Sequence, residues 1–208
     1  MGAWLCDECL SQVRRVLPPL CQRCGTTLPR STSKLCSRCR STPLQIERIR
    51  SVAYSEGPLR TAIHPFKYEG VIALAVPLAQ LMADYWSGRP MPADVAVPVP
   101  LHRERLRWRG FNRAAYLADE LSQLIGLLVD KDILVRHRRT AAQVDLDADQ
   151  RRVNVRDAFR CVDSAVAGKR VLLIDDVCTT GSTLEACEIA LRRGGAREVR
   201  ALTLARAH

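Results

Sequence analysis

The sequence predicts an α/β domain with a mainly parallel central sheet flanked by helices, preceded by a small metal-binding module. Three observations carry this expectation. From Ile46 onward, short β-branched runs alternate with stretches of helical period, the pattern of parallel strands joined by crossover helices. Val171 to Ile174 is apolar at every position, as a strand covered on both faces requires. In the first 45 residues, six cysteines form the CxxC pairs Cys6/Cys9, Cys21/Cys24 and Cys36/Cys39, with 11 residues between each pair and the next. The expected division is a zinc-ribbon module over 1–45 and the α/β domain over 46–208.

The module carries seven basic and two acidic side chains and little apolar periodicity. Metal must therefore supply much of its folding free energy, on a scale of about 10 kcal/mol or more per structural zinc. A CxxC turn brings two thiolates to one ion, two pairs complete a tetrahedron, and Gly25 frees the turn after Cys24. Cys21, Cys24, Cys36 and Cys39 are the expected zinc ligands. Cys6 and Cys9 are left over: either an upstream start supplies another CxxC, or this pair joins a distorted or intermolecular metal site. Thioredoxin-like redox chemistry is disfavoured because no βαβ pattern surrounds the pairs.

In the second part, Arg48 to Tyr54 reads as a strand. Val71 to Tyr85 reads as a helix with Leu74, Leu78, Leu81 and Met82 on one face and Pro77 as an internal flaw. Asp94 to Val99 is a strand, Leu101 to Arg113 an Arg-rich loop, and a helix follows from its N-cap Asn112 to Gly126. Ile133 to Val135 and Ala158 to Val162 read as short strands on either side of a long polar loop, Arg136 to Arg156. The central strand Val171 to Ile174 leads to a helix from Thr183 to Arg193, a Gly194/Gly195 stop and a closing strand, Val199 to Ala205.

The composition, 47% hydrophobic and 26% charged over 208 residues, excludes disordered and collagen-like chains. No uninterrupted apolar stretch reaches membrane-spanning length, and no basic segment precedes a long apolar one at the N-terminus. A cytoplasmic protein without membrane insertion is expected, and in that compartment nine cysteines do not form a disulfide framework. The net charge is +10, and 28 of the 32 basic residues are Arg. Codon bias accounts for the Arg-to-Lys ratio as readily as phosphate recognition does, but the excess charge itself points to a polyanionic partner.

The segment Val171 to Thr183, VLLIDDVCTTGST, joins an apolar strand to two carboxylates and a hydroxyl-rich turn that opens a helix. Ligands bind open α/β sheets at this position, and successive backbone N–H groups at a helix start suit a phosphate. Asp175 and Asp176 would repel that phosphate unless they bind hydroxyls or a divalent cation, and a sugar phosphate presents both groups. No GxxxxGK[ST] or GxGxxG occurs. The segment resembles the PRPP-binding signature of the type I phosphoribosyltransferases. That resemblance implies their fold, with Asp175 and Asp176 as catalytic acids on the ribose hydroxyls. It also implies that Cys178, Thr179, Thr180, Gly181, Ser182 and Thr183 cradle the 5'-phosphate, and that Mg²⁺ accompanies PRPP.

Val97 to Asn112, VPVPLHRERLRWRGFN, together with Gln143, Arg151 to Asn154, Phe159, Tyr54, Lys67 and Tyr68, resembles the ComF family of competence-associated proteins. That family places zinc ribbons ahead of a phosphoribosyltransferase-like domain. Two departures stand out: Arg113 replaces the usual Gln of RGFNQ, and the first CxxC of a double ribbon is missing. The resemblance implies that Arg103, Arg105, Arg107, Arg109 and Arg113 belong to a pyrophosphate-gripping loop. It puts Arg136, Arg151 and Arg152 in a mobile hood, beside Arg138 and Arg139, although Asp145, Asp147 and Asp149 suit a solvated stretch. Trp108 and Phe111 either stack on a base or anchor the loop. Cys178 is either a small space-filler or a thiol of lowered pKa, and the four His show no metal spacing.

Two functions are compatible with this pattern. One is transfer of a phosphoribosyl group from PRPP to a nitrogen nucleophile, linked to DNA uptake. The alternative is a non-catalytic accessory protein for natural transformation that binds single-stranded DNA and DNA-uptake proteins. A homo-oligomer is compatible with either, and the acceptor is left open.

Overall fold

In the computed structural model, residues 5–29, 33–140, 148–162 and 164–207 are described, without the side chains at 148, 149, 151 and 152. The N-terminal segment contributes two single-turn helices, α1 (Asp7–Ser11) and α2 (Ser37–Ser41), whose N-caps are Cys6 and Cys36. The chain then enters β1 (Arg48–Tyr54) and α3 (Gly57–Tyr68), a helix that the sequence pattern did not announce. Its buried positions Leu59, Ala62, Ile63 and Phe66 follow the i, i+3, i+4, i+7 pattern of an amphipathic helix, with Pro65 interrupting it.

A 3₁₀ turn at Ile72–Leu74 precedes α4 (Ala75–Gly88). Pro77 is therefore not an internal flaw. It is the third residue of the α-helix, within the first turn, where backbone N–H groups have no intrahelical acceptor to lose. After β2 (Val95–Pro98), the stretch expected to be a loop is a helix, α5 (Arg103–Arg109). The His102 ring nitrogen caps it by accepting from the Glu104 N–H at 3.4 Å, and Gly110 closes it in the left-handed conformation at φ 77°. α5 buries no residue, so it carries no apolar stripe. α6 (Arg113–Ile125) begins as expected: the Asn112 side chain accepts from the Ala114 N–H at 3.1 Å.

The hairpin strands β3 (Leu134–Arg136) and β4 (Phe159–Cys161) pair antiparallel. Between them lies α7 (Ala148–Val155), inside the stretch expected to be a loop. β5 (Arg170–Cys178), α8 (Ser182–Arg193) and β6 (Glu198–Arg206) complete the chain. β5 runs four residues beyond the expected Ile174 because its parallel register with β6 continues through Asp175↔Thr203 to Cys178↔Arg206. Both acidic residues therefore stand on a strand.

The four-stranded sheet is wholly parallel, in the order β1-β6-β5-β2. One face is covered by α3, α4 and α6, whose Phe66, Leu78, Met82 and Leu117 join Leu172, Ile174 and Leu202 in one cluster. On the other face, Cys21, Cys24, Cys39 and Leu44 of the N-terminal segment share a cluster with Ile49 of β1 and with Leu173, Leu184, Leu191 and Ala201. Arg206 ties the two parts together by donating from Nη1 to the Cys24 carbonyl at 2.9 Å, and Arg50 donates to the carbonyls of Cys21 and Gln22. Among the described residues, no helix is long and apolar enough to cross a membrane.

Candidate functional site

Parallel strands put their carboxyl ends on one edge, and a cleft of about 470 Å³ opens there. Asp175 and Asp176, from the end of β5, line it with Thr179, Gly181, Ser182 and Thr183; Lys67 and Tyr68 face them from the end of α3. Thr180 serves the turn itself: its hydroxyl hydrogen-bonds that of Ser182 at 2.8 Å and accepts from the Ser182 N–H at 3.3 Å. Gly181 is the N-cap of α8 at φ 84°, with no side-chain cap bond. A Cβ there would come within 3.0 Å of Ile49 and 3.3 Å of Leu44. Glycine is thus demanded twice, by the left-handed backbone and by the Ile49 and Leu44 side chains packed against the turn. The helix start presents its dipole to the cleft, an arrangement that accepts a phosphate.

Of the arginines singled out by the sequence, Arg105, Arg109, Arg113 and Arg136 line the cleft. Arg103 and Arg107 are exposed and lie outside this lining; the helical turn of α5 divides them from Arg105 and Arg109. Arg151 and Arg152 fall in α7, where only their backbone is described, and Gln143, Asp145 and Asp147 lie outside the described residues. The Nε atoms of Arg109 and Arg136 are buried without a hydrogen-bond partner. Burial lowers the pKa of both guanidiniums, and neighbouring arginine charges add to it. Crowded, undersolvated cations of this kind gain from an anion placed between them.

Arg113 has a different partner from the one its neighbours imply. Its Nε donates to Asp176 Oδ2 at 2.5 Å, both side chains being 9% exposed, and its Nη1 donates to the Lys67 carbonyl at 3.3 Å. Burial works to raise the Asp176 carboxyl, but Arg113 and Lys67 hold it below the ordinary range. Asp175 is pushed well up, by burial and by the Asp176 charge beside it. The acids thus differ in protonation behaviour because Asp176 is the one hydrogen-bonded to the Arg113 guanidinium, while Asp175 feels that charge only at longer range.

The two aromatic residues lie in different surroundings. Phe111 anchors the turn, with ring centroids 6.4 Å from Phe66 and 6.1 Å from Tyr116. Trp108 is 81% exposed and lines the cleft. For Cys178 the lowered-pKa alternative is corrected: it is the buried last residue of β5, and burial raises its thiol although Arg206 stands beside it.

Cys21, Cys24, Cys36 and Cys39 gather with all four Sγ atoms within 4.8 Å of one another. The Cys24 and Cys36 sulfurs are 3.7 Å apart, against about 3.8 Å for two thiolates on a tetrahedral zinc at 2.3 Å. Burial opposes ionisation of Cys21, yet the N–H groups of Cys36, Cys24 and Arg23 hold its pKa at about 6; burial pushes Cys24 up to about 11. The donor set fits zinc. Cys6 and Cys9 lie 3.4 Å apart and join no group of three or more metal-ligating side chains among the described residues.

Sequence reasoning passed over Thr140, which hydrogen-bonds Arg136, and Glu185, which accepts from the Gln45 N–H at 2.8 Å and so ties α8 to the ribbon. Glu185 has no local signal, since it acts across a tertiary contact, and Thr140 lies four residues from Arg136 in a stretch without regular structure.

The profile of the phosphoribosyl transferase domain matches residues 109–208. DNA utilization protein YhgH of Salmonella typhi is 36% identical over 157 residues, covering 72% of this chain and 68% of that protein. Competence protein F of Haemophilus influenzae is 34% identical over 158 residues, covering 72% and 69%. Among solved structures, the glutamine PRPP amidotransferase from B. subtilis, complexed with ADP and GMP, is 22% identical. It has a TM-score of 0.45 and covers 63% of this chain and 26% of that one. With this level of identity over two thirds of its relatives' length, the chain belongs to the ComF family of competence-associated proteins, with a type I phosphoribosyltransferase fold and a cysteine cluster that fits a zinc ribbon.

Proposed function

We propose that the protein binds PRPP with Mg²⁺ in the cleft at the end of β5 and transfers its phosphoribosyl group to a nitrogen nucleophile in the handling of DNA. The observation that carries this reading is the convergence on one cavity of the Asp175/Asp176 pair, the Thr179–Thr183 turn and the undersolvated Arg109 and Arg136. In this reading Asp175 and Asp176 accept the ribose hydroxyls, and the turn holds the 5'-phosphate by its N–H groups and hydroxyls. Arg105, Arg109 and Arg136 face the pyrophosphate and stabilise it as it leaves C1 of the sugar. Mg²⁺, bound with PRPP, supplies further neutralisation of the leaving group. The ribbon over 1–45 holds one structural zinc, and the nine free cysteines suit a reducing cytoplasm.

Calorimetric titration with PRPP, with and without Mg²⁺, tests the reading. Asp175→Asn preserves shape and leaves the Arg113–Asp176 pair in place. Loss of one carboxyl acceptor is expected to weaken PRPP binding about ten-fold or more, and the double Asn variant should weaken it further. Undiminished affinity in the folded variants places the ligand elsewhere. Pyrophosphate release on adding candidate acceptors then reads turnover.

A second reading, direct binding of single-stranded DNA, is favoured by exposed Arg103 and Arg107 on the outward side of α5 together with Trp108, 81% exposed in the lining of the cleft. Guanidiniums and a stacking ring are the components of a single-strand platform. Here Arg103→Ala/Arg107→Ala should flatten the log-affinity against log-salt slope by about 0.7 for each phosphate no longer neutralised, with PRPP binding unchanged. A parental slope in that variant removes α5 from the DNA surface.

A further inference from the structure

At the opposite end of the sheet from the cleft, about 20 Å away along the seven residues of β1, a cavity of about 310 Å³ lies between the ribbon and the end of α4. Arg48 and Arg50 from the start of β1 and Arg89 from just after α4 line it, and among the described residues no carboxylate does. The acids nearest Arg48 along the chain and across the register, Glu47 and Glu198, both pair with Arg200, and Asp84, beside Tyr85, accepts from Gln80 Nε2 at 2.9 Å. Arg50 is partly committed to the Cys21 and Gln22 carbonyls, whereas Arg48 and Arg89 are exposed. The remaining walls are Pro18, Leu20, Pro90 and Met91.

Tyr85 lies at the centre of this arrangement. It is 7% exposed, lines the cavity, and its buried hydroxyl has no hydrogen-bond partner. A buried hydroxyl without a partner costs free energy, and an acceptor supplied from outside restores it. Burial raises the Tyr85 pKa even though three arginines face the ring, so at neutral pH the group is a donor. The Arg89 guanidinium stands 5.5 Å from the ring centroid.

We propose that this cavity is a nucleotide site separate from the cleft, in which Arg48, Arg89 and the Tyr85 hydroxyl hold a phosphate and the Pro18, Leu20, Pro90 and Met91 walls receive the attached sugar and base. Three guanidiniums with a hydroxyl donor select a phosphate over a carboxylate by charge and by number of donors. The apolar walls and a volume well beyond one phosphate call for a flat group attached to it. That chemistry has two sources, a free mononucleotide or one unit of a single DNA strand.

The test titrates the full zinc-loaded protein with thymidine 5'-monophosphate and with a fluorescein-labelled dT15 strand. Tyr85→Phe removes only the hydroxyl and keeps the ring in the core, so it should raise the melting temperature of the free protein while weakening the ligand about ten-fold. Arg48→Ala/Arg89→Ala changes two exposed side chains; it should weaken binding at least as much and flatten the salt slope of the strand by about 0.7 for each phosphate released from its cation. Binding of dT15 without competition from the mononucleotide assigns the site to a strand, and competition assigns it to the free nucleotide. Absence of binding of either probe to the parent protein, or unchanged affinities in both folded variants, overturns the proposal. PRPP binding is measured on the same variants and should be unaltered, so failure of the cleft reading and failure of this one are read separately.

Discussion

A Cys21→Ser/Cys36→Ser protein is expected to emerge from purification without zinc, where the parent carries one ion per chain by elemental analysis, and to have lost most of its PRPP affinity. The first part follows from the four sulfurs within 4.8 Å: two remaining thiols cannot close a tetrahedron. The second follows from what the ribbon supports. Metal supplies about 10 kcal/mol or more to such a module, comparable to the whole net stability of a domain, so the metal-free segment unfolds. The helices α3, α4 and α6 keep most of their cluster on the other face of the sheet, losing Leu5 and Val13 of the N-terminal segment, so the rest of the chain retains a core. What the phosphate turn loses is specific: Leu44 no longer packs on Gly181, Gln45 no longer donates to Glu185, and Arg206 loses the Cys24 carbonyl. Each buried polar group deprived of a partner costs about 1–3 kcal/mol, enough to loosen the start of α8. Full PRPP affinity in a zinc-free protein whose α/β domain is folded would falsify this coupling.

Much of this architecture could be read from local pattern, and the misses share a physical cause. The apolar run of β5 and the Asn112 and Gly126 boundaries of α6 are local signals, and tertiary structure did not override them. α5 was missed because a helix that buries nothing shows no stripe, although Arg, Glu and Leu are strong helix formers. α3 was missed despite a regular stripe, because Pro65 broke the pattern one position before its last buried residue, Phe66. The Asp175/Asp176 pair reads in the sequence as the end of a strand, since paired carboxylates disfavour strand interiors until β6 supplies the register. Which arginines enter the cleft was not legible at all. Arg103 and Arg107 differ from Arg105 and Arg109 only by the turn of a helix that the sequence did not announce. The Arg113–Asp176 pair joins positions 63 apart, and no one-dimensional pattern carries that contact.

That pair gives the largest single-substitution effect expected in the chain. With Arg113→Met, which keeps an apolar side chain of similar reach, Asp176 remains buried with only Lys67 to offset its charge. Leaving a buried charge unpaired costs about 3–5 kcal/mol, against about 1 kcal/mol or less if the pair behaved as an exposed one. The pH dependence distinguishes these cases. In the parent, the folded pKa of Asp176 lies below its unfolded value of about 3.9. Its contribution is therefore fully present above that value and disappears as pH falls through the folded pKa. Without Arg113, burial governs and the folded pKa of Asp176 moves upward, so the variant is penalised increasingly as pH rises above about 3.9. Asp175, whose pKa is raised in the folded parent, loses stability with rising pH in both proteins and does not reverse the sign of the difference. Urea unfolding should show a small gap between parent and Arg113→Met near pH 3 that widens to about 3–5 kcal/mol at pH 7. Adding Asp176→Leu to the Met variant should recover most of the loss, because an apolar pair replaces an orphaned charge. A pH-independent gap, or no recovery in the double variant, would mean that Arg113 stabilises the fold by packing alone, and that Asp176 does not depend on it for its charge in the cleft.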